Sequence, residues 1–298
     1  MNMEISLHSN KKHLALGYYL SIIRNLIMSP KTPFRKLYYA DLYCGDGKCE
    51  IKRVAEKYEP PIINSILKPA KEGKFSVRCF LNDLEKIEQM KENTQDYKEF
   101  IKCYSCEDAN VCYEKFLKFM PPDKFCIFFL DPTNHNDLKW KTIKKISEHS
   151  HTYYGNKVRR PELIINLMTY TMSGSYMAKS FKSIDEALGT NKWFELINKY
   201  KEEGMKTPVE RAFLDTLIKQ LEKLGYRVPS PIKILNTFPH NTVYYLVWAT
   251  NEQGYDIIEK KVIPYMKKKI GEIHKENKKK LVIAKAREKG EGNLDKWC

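Results

Sequence analysis

The sequence predicts an α/β fold, a mostly parallel sheet with helices on both faces and a C-terminal antiparallel hairpin. Three observations predict it. Apolar, β-rich runs alternate five times with helical segments before that hairpin. The strongest run, Phe125–Leu130, is apolar throughout, as in a strand covered on both faces. Acids and glycines collect just after these runs, at the sheet edge where open α/β folds bind ligands.

In chain order, apolar residues recur at helical spacing from His13 to Ile27, before a proline break at Pro30 and Pro33. Lys36–Leu42 reads as a central strand and Pro61–Leu67 as the crossover helix, started by Pro60-Pro61. Val77–Leu81 and Ile101–Tyr104 read as the second and third strands, separated by a charged helix. Val111–Phe119 is amphipathic, Phe125–Leu130 is the fourth strand, and a helix over Trp140–Ser147 leads to the strand Leu163–Met168. Ile184–Leu224 is mostly helical and closes at Gly225. Ile232–Phe238 and Thr242–Ala249 pair as a hairpin about Pro239-His-Asn. This organisation gives a domain over 1–262, with a helical insertion at 173–225, and a basic helical extension over 263–298.

Composition narrows the function classes. The chain has 298 residues, enough for one elaborated α/β domain, and its 42% hydrophobic and 12% aromatic content argues against disorder. No apolar run approaches the ~18 residues of a membrane helix, and the N-terminus lacks a signal-peptide core, so a cytoplasmic protein without membrane contact is expected. Its eight cysteines are then expected as free thiols. Cys103-x-x-Cys106 with Cys112 lacks the fourth ligand of a structural zinc site, so no metal is expected. The net charge is +15, and from Lys260 onward thirteen Lys or Arg face five Asp or Glu. Lys267, Lys268, Lys269, Lys278, Lys279 and Lys280 form two clusters in that arm, suited to the phosphates of a nucleic acid. The alternative is a solvated helix face packed through Ile270 and Ile273.

Four motifs carry chemistry. Asp41-Leu-Tyr-Cys-Gly45-Asp-Gly47 ends the first strand in an acid and two glycines, which allow positive φ and close backbone approach to a ligand. No Gly-Lys-Ser/Thr follows, so it is not a phosphate loop. Asp83 and Glu85 follow the second strand, where either can receive a ribose diol; Glu85 can also be a helix-start charge. Asp108 follows the third, as an adenine-amino acceptor or a helix N-cap. Asp131-Pro132 follows the fourth, in a stiff turn that aims the carboxylate and carbonyl at a substrate amine. His135, further along this loop, is a candidate base or a solvent-facing histidine.

The ordered set DLYCGDG, FLNDLE, CEDA and FFLDPTNH resembles class I S-adenosylmethionine-dependent methyltransferases, with their Rossmann-like fold. More narrowly, from about Lys11 to Val262 the chain resembles the three-Cys-motif partner protein family, whose cysteines lie in a separate radical-S-adenosylmethionine-like protein. The resemblance implies that Asp41, Tyr43, Gly45 and Gly47 cradle the methionine end of S-adenosylmethionine, Asp83 holds ribose and Asp108 contacts adenine. It implies an acceptor side at Asp131 and Pro132, as in adenine-N6 methyltransferases with an Asp-Pro-Pro-Tyr motif. This chain departs from that motif at Thr133 and Asn134, and it has no Pro-Cys nucleophile for carbon-5 methylation of cytosine. The expected function is methyl transfer to an RNA or DNA base; the alternative is a non-catalytic cofactor-binding partner of a three-cysteine protein. A nuclease is the weakest reading, because no two-metal cluster of acids surrounds Asp131.

Overall fold

The computed structural model describes residues 4–5, 7–29, 36–51, 56–153, 157–235 and 242–288. Its main sheet has seven strands: β1 (Lys36–Asp41), β2 (Ser76–Asn82), β3 (Ile101–Ser105), β4 (Phe125–Leu130), β5 (Glu162–Leu167), β6 (Ile232–Leu235) and β7 (Thr242–Ala249). Their spatial order is β6-β7-β5-β4-β1-β2-β3. All neighbours run parallel except β7, which is antiparallel to both β5 and β6. This is the strand order of the class I methyltransferase fold expected from the sequence. The chain leaves β1 toward β2 on one side, and β4 lies on the other. The β1–β4 seam is therefore the topological switch point, where a crevice opens at the carboxyl ends of the strands.

Side chains of the central strands alternate between two cores. Leu37, Tyr39, Val77 and Cys79 face α1 (Leu7–Met28) and the helices beside it, whereas Ala40, Phe80 and Phe128 face the other layer. The first layer also holds the turn Ile63–Leu67, which runs into α2 (Lys68–Lys71), and α3 (Ile87–Asn93). The second layer holds α4 (Ala109–Leu117), α5 (Trp140–Glu148), α6 (Thr169–Met177), α7 (Phe181–Leu188), α8 (Trp193–Glu202) and α9 (Pro208–Lys223). After β7 come α10 (Glu252–Ile257), the π-helical turn Ile258–Val262 and α11 (Ile263–Glu288). The start of α11 belongs to the body of the protein, because Ile263 and Met266 are buried and Tyr265 stacks on Tyr18 of α1. Among the described residues, no helix is long and apolar enough to cross a membrane.

Differences from the expected elements are short-range. The crossover segment forms a π-helical turn before α2, and helix formation after β5 begins at Thr169. Two small additions have no sequence signal. One is a sheet of Glu4–Ile5, Cys49–Ile51 and Glu56–Tyr58, and the other is the hairpin His151–Tyr153 with Lys157–Arg159. Runs of two or three residues are too short to express a period. The Pro239-His-Asn turn lies outside the described residues.

Helix α1 is fastened across the sheet at three points. Lys11 Nζ donates to Leu235 O at 3.0 Å, Lys12 reaches Asp131, and the Tyr19 hydroxyl donates to Glu162. Glu162 is buried at the start of β5 and also accepts from Thr250 Oγ1 at 2.5 Å. Gly254 abuts this pair; a Cβ there would lie 2.2 Å from Thr250 Oγ1 and 2.8 Å from Glu162 Oε1. Gly174, by contrast, lies inside α6 with no atom within 4 Å of an added Cβ. Gly254→Ala is therefore expected to cost about 1–3 kcal/mol through overpacking. Gly174→Ala should add roughly 0.5–1 kcal/mol through helix propensity. Urea unfolding of the two variants checks both signs.

Candidate functional site

A cavity of about 770 Å³ opens at the carboxyl ends of β1, β2, β3, β4 and β5. Six carboxylates line it (Asp83, Glu85, Glu107, Asp108, Asp131 and Asp137) against three lysines, Lys12, Lys86 and Lys139. In a protein of net charge +15 this cavity reverses the overall sign. It is suited to a cation, and phosphates are disfavoured within it.

Of the glycine loop, Tyr43 lines this cavity, whereas Asp41 and Gly47 line a small neighbouring one and Gly45 lines neither. Gly45 and Gly47 have φ of 68° and 76°, in the left-handed region where a Cβ is strained. A Cβ on Gly47 would also lie 2.7 Å from Met90 Sδ. The Gly45 N–H donates to Asp83 Oδ2 at 3.0 Å, while Asp83 Oδ1 accepts from the N–H groups of Glu85 and Lys86 at 3.1 and 2.9 Å. Asp83 thus joins the loop after β1 to the turn after β2. Three of the roughly four lone-pair positions of its carboxylate are engaged, which leaves one for a ligand hydroxyl. Glu85 stands exposed beside it on the cavity wall. Leu84 is 66% exposed and lines the same wall, an apolar surface open to a ligand.

Asp41 is buried under the loop. Its carboxylate accepts from the Tyr43 N–H at 3.1 Å and the Tyr39 hydroxyl at 3.4 Å. Burial raises its carboxyl to about 7, the two hydrogen bonds oppose that rise, and the nearby charges of Asp131 and Asp83 add to it. Asp41 is therefore a buried carboxyl whose ionised form would be favoured by an incoming cation. A cavity of about 40 Å³ lies between this group and His13, whose imidazole is pushed down to about 3 by burial and by Lys12.

Asp131 ends β4 with both oxygens engaged. Lys12 Nζ lies 2.7 Å from Oδ1 and 2.5 Å from Oδ2, and Asn166 Nδ2 donates to Oδ1 at 2.7 Å. The pair is nearly buried, and the ammonium stands 5.6 Å from the centre of the Tyr244 ring. Pro132 and Thr133 continue the cavity wall. Asn134 caps its own turn: its side chain accepts from the Asn136 N–H, and its N–H donates to Asp137 Oδ2 at 2.8 Å. No aromatic ring occupies that position for stacking.

His135 does not face the cavity. It is buried, with Nδ1 3.1 Å from Thr171 Oγ1 of α6 and Nε2 3.1 Å from Ser183 Oγ of α7. Burial lowers its pKa. The histidine expected as a base or a solvent-facing residue instead pins the loop after β4 to the helical layer. Asp108 caps α4, accepting from the Asn110 N–H at 2.8 Å, and it also lines the cavity. The Tyr43 hydroxyl donates to Asp137 O at 2.7 Å, tying the loops after β1 and β4 together.

Three contributors were absent from the sequence reading. Lys12 arrives from a helix far away in sequence, Asn166 from β5, and Asn82 bridges Leu42 O and Glu107 O at 3.0 Å each. Asn82 and Asn166 had a legible signal: each is an amide that follows a run of apolar residues near the carboxyl end of a strand. Lys12 had only its place in the first turns of an apolar helix. Of the basic arm, Lys267, Lys268 and Lys279 are exposed and Lys269 pairs with Glu272 at 2.6 Å; the side chains of Lys278 and Lys280 lie outside the described ones. Cys106 is exposed and Cys112 buried, and among the described residues no group of three or more His, Cys, Asp or Glu is placed to hold a metal ion.

No family profile and no curated protein matches the sequence. Among solved structures, the chain is similar to a DUF519 protein of Legionella pneumophila, with 11% identity, TM-score 0.45, and 87% of this chain and 90% of that one covered. It is also similar to a Listeria monocytogenes protein described as a class I S-adenosylmethionine-dependent methyltransferase (9% identity, TM-score 0.38, 80% and 60% covered). A third is the plantazolicin methyltransferase BamL, solved with S-adenosylhomocysteine (8% identity, TM-score 0.35, 80% and 85% covered).

The Asp41 carboxyl makes a stability prediction. Its folded-state value of about 7 lies above the ordinary carboxylate value, so its contribution is full below that ordinary value and is lost as pH rises through about 7. Asp41→Asn removes this titration. The variant is expected to melt near wild type at about pH 4 and above wild type at about pH 8. Melting curves across that range test the sign.

Proposed function

We propose that this chain is an S-adenosylmethionine-dependent methyltransferase acting on nucleic acid, of the three-Cys-motif partner kind. The observation that carries the reading is the acid-rich cavity at the β1–β4 switch point, lined by Tyr43 from the loop that carries the positive-φ glycines and by Asp131-Pro132.

The residues fit the cofactor. Asp41 would receive the α-ammonium, with Gly45, Gly47 and Tyr43 around the methionine end. Asp83 and Glu85 would share the ribose hydroxyls, Leu84 would cover an adenine face, and Asp108 would accept from its amino group. When bound, the cofactor supplies an electrophilic methyl group on a cationic sulfur. The remaining work falls to the chain's own residues. Asp131 accepts a hydrogen bond from the acceptor and orients it, and Lys12 and Asn166 hold that carboxylate in place. The exposed lysines of α11 add sequence-independent affinity for phosphates.

One observation favours a second reading. The Lys12 ammonium already occupies both oxygens of Asp131. A cofactor-binding subunit that acts through a three-cysteine partner would retain the cavity without presenting Asp131 to an acceptor.

Saturating S-adenosylhomocysteine is expected to stabilise the protein by about 2.7 kcal/mol at a hundredfold excess over Kd. Gly45→Val should abolish that shift; a full shift in the variant would place the ligand elsewhere. Tritium transfer from S-adenosylmethionine to total RNA and DNA then separates the two readings. Transfer supports the enzyme, and binding without transfer supports the partner subunit. Asp131→Asn is expected to keep cofactor affinity and lose transfer.

A further inference from the structure

An open groove of about 580 Å³ lies beside the cavity, and the two share Lys139. It runs between the start of α5 and α7, and it is lined by Trp140, Lys141, Lys182, Asp185 and Glu186. Its acids are already engaged. Asp185 Oδ1 accepts from Trp193 Nε1 at 2.7 Å, and Glu186 pairs with Lys139 Nζ at 3.0 Å. Lys141 and Lys182 are exposed, and neither forms an ion pair among the described residues. All three lysines line the groove, and Lys182 and Lys141 add to Lys139 in holding the Glu186 carboxyl below the usual range. Trp140 is half-buried, with its ring lying against Gly189 while it lines the groove.

The cavity and the groove divide the labour by charge. The cavity holds six carboxylates and disfavours phosphate, yet a base must enter it to reach Asp131. A nucleotide placed there leaves its flanking phosphates outside, next to Lys139. A base stacked within a duplex cannot enter, so the strand must be single or the nucleotide flipped out. Cations beside an aromatic ring suit a single strand, whose phosphates meet the lysines while a base stacks on the ring.

We propose that the α5–α7 groove is the track for a single strand of nucleic acid, holding the phosphates that flank a nucleotide seated in the cavity. Lys141 and Lys182 contact phosphates, and Trp140 contacts a base. The proposal rests on the nucleic-acid reading of the function and assigns it a surface separate from the α11 arm.

The test is fluorescence anisotropy of a labelled oligouridine of about 16 nucleotides, the upper site size of such grooves. It is titrated with full-length protein in S-adenosylhomocysteine over a salt series. Lys141→Glu/Lys182→Glu should weaken binding about tenfold and flatten the salt dependence by roughly 0.7 per lost phosphate contact. Lys98→Glu/Lys102→Glu makes the same charge change at the β3 edge and should bind within about twofold of wild type, because it removes no phosphate contact. Equal weakening in both double variants, or equal displacement of the oligonucleotide by poly-glutamate, would overturn the track. So would wild-type affinity in the groove variant, and in that case the nucleic-acid reading stands. Failure of the wild type to bind any oligonucleotide, with its S-adenosylhomocysteine shift intact, would sink both the reading and the track.

Discussion

Three carboxyl groups, Asp41, Asp83 and Asp131, are brought to one edge by adjacent parallel strands, and the need to satisfy each of them there is the constraint around which the site is arranged. Parallel neighbours in register deliver their C-termini to the same place, so strands that each end in an acid concentrate negative charge. Each carboxyl meets this differently. Asp131 takes an ammonium and an amide, and Asp83 takes three backbone N–H groups. Asp41 has only two hydrogen bonds, and burial favours its protonated form. Of the three, Asp41 gains most from an incoming cation.

The same constraint explains why α1 crosses the sheet. Lys12 brings the positive charge that Asp131 needs, and Lys11 and Tyr19 fix the helix at two further points. Removing one member of a nearly buried ion pair leaves the other uncompensated, typically at about 3–5 kcal/mol. The N-terminal helix is therefore part of the site as well as part of the core. His135 has a comparable role on the opposite side, where it holds the loop carrying Asp131 against α6 and α7.

What could be read from the sequence follows from the range of each interaction. Phe125–Leu130 was legible to the residue, because six consecutive apolar residues describe a strand buried on both faces. The Asp41 loop was legible because glycines at positive φ leave a local signature. Lys12 and the position of His135 were not, because each is defined by a partner distant in sequence. A lysine in an apolar helix looks the same whether it snorkels to solvent or reaches a buried carboxylate. Asp108 remained open between cap and ligand contact because its position allows both.

The most direct measurement is calorimetric titration of S-adenosylmethionine into the protein at about pH 6.5, in buffers of different ionisation enthalpy, with wild type and Asp41→Asn compared. If the ammonium of the cofactor meets Asp41, binding to wild type must expel most of the proton that burial retains on that carboxyl. The account predicts a net release of up to about three quarters of a proton in wild type relative to the variant, and weaker binding by the variant. Equal proton counts and equal affinities in the two proteins would contradict it.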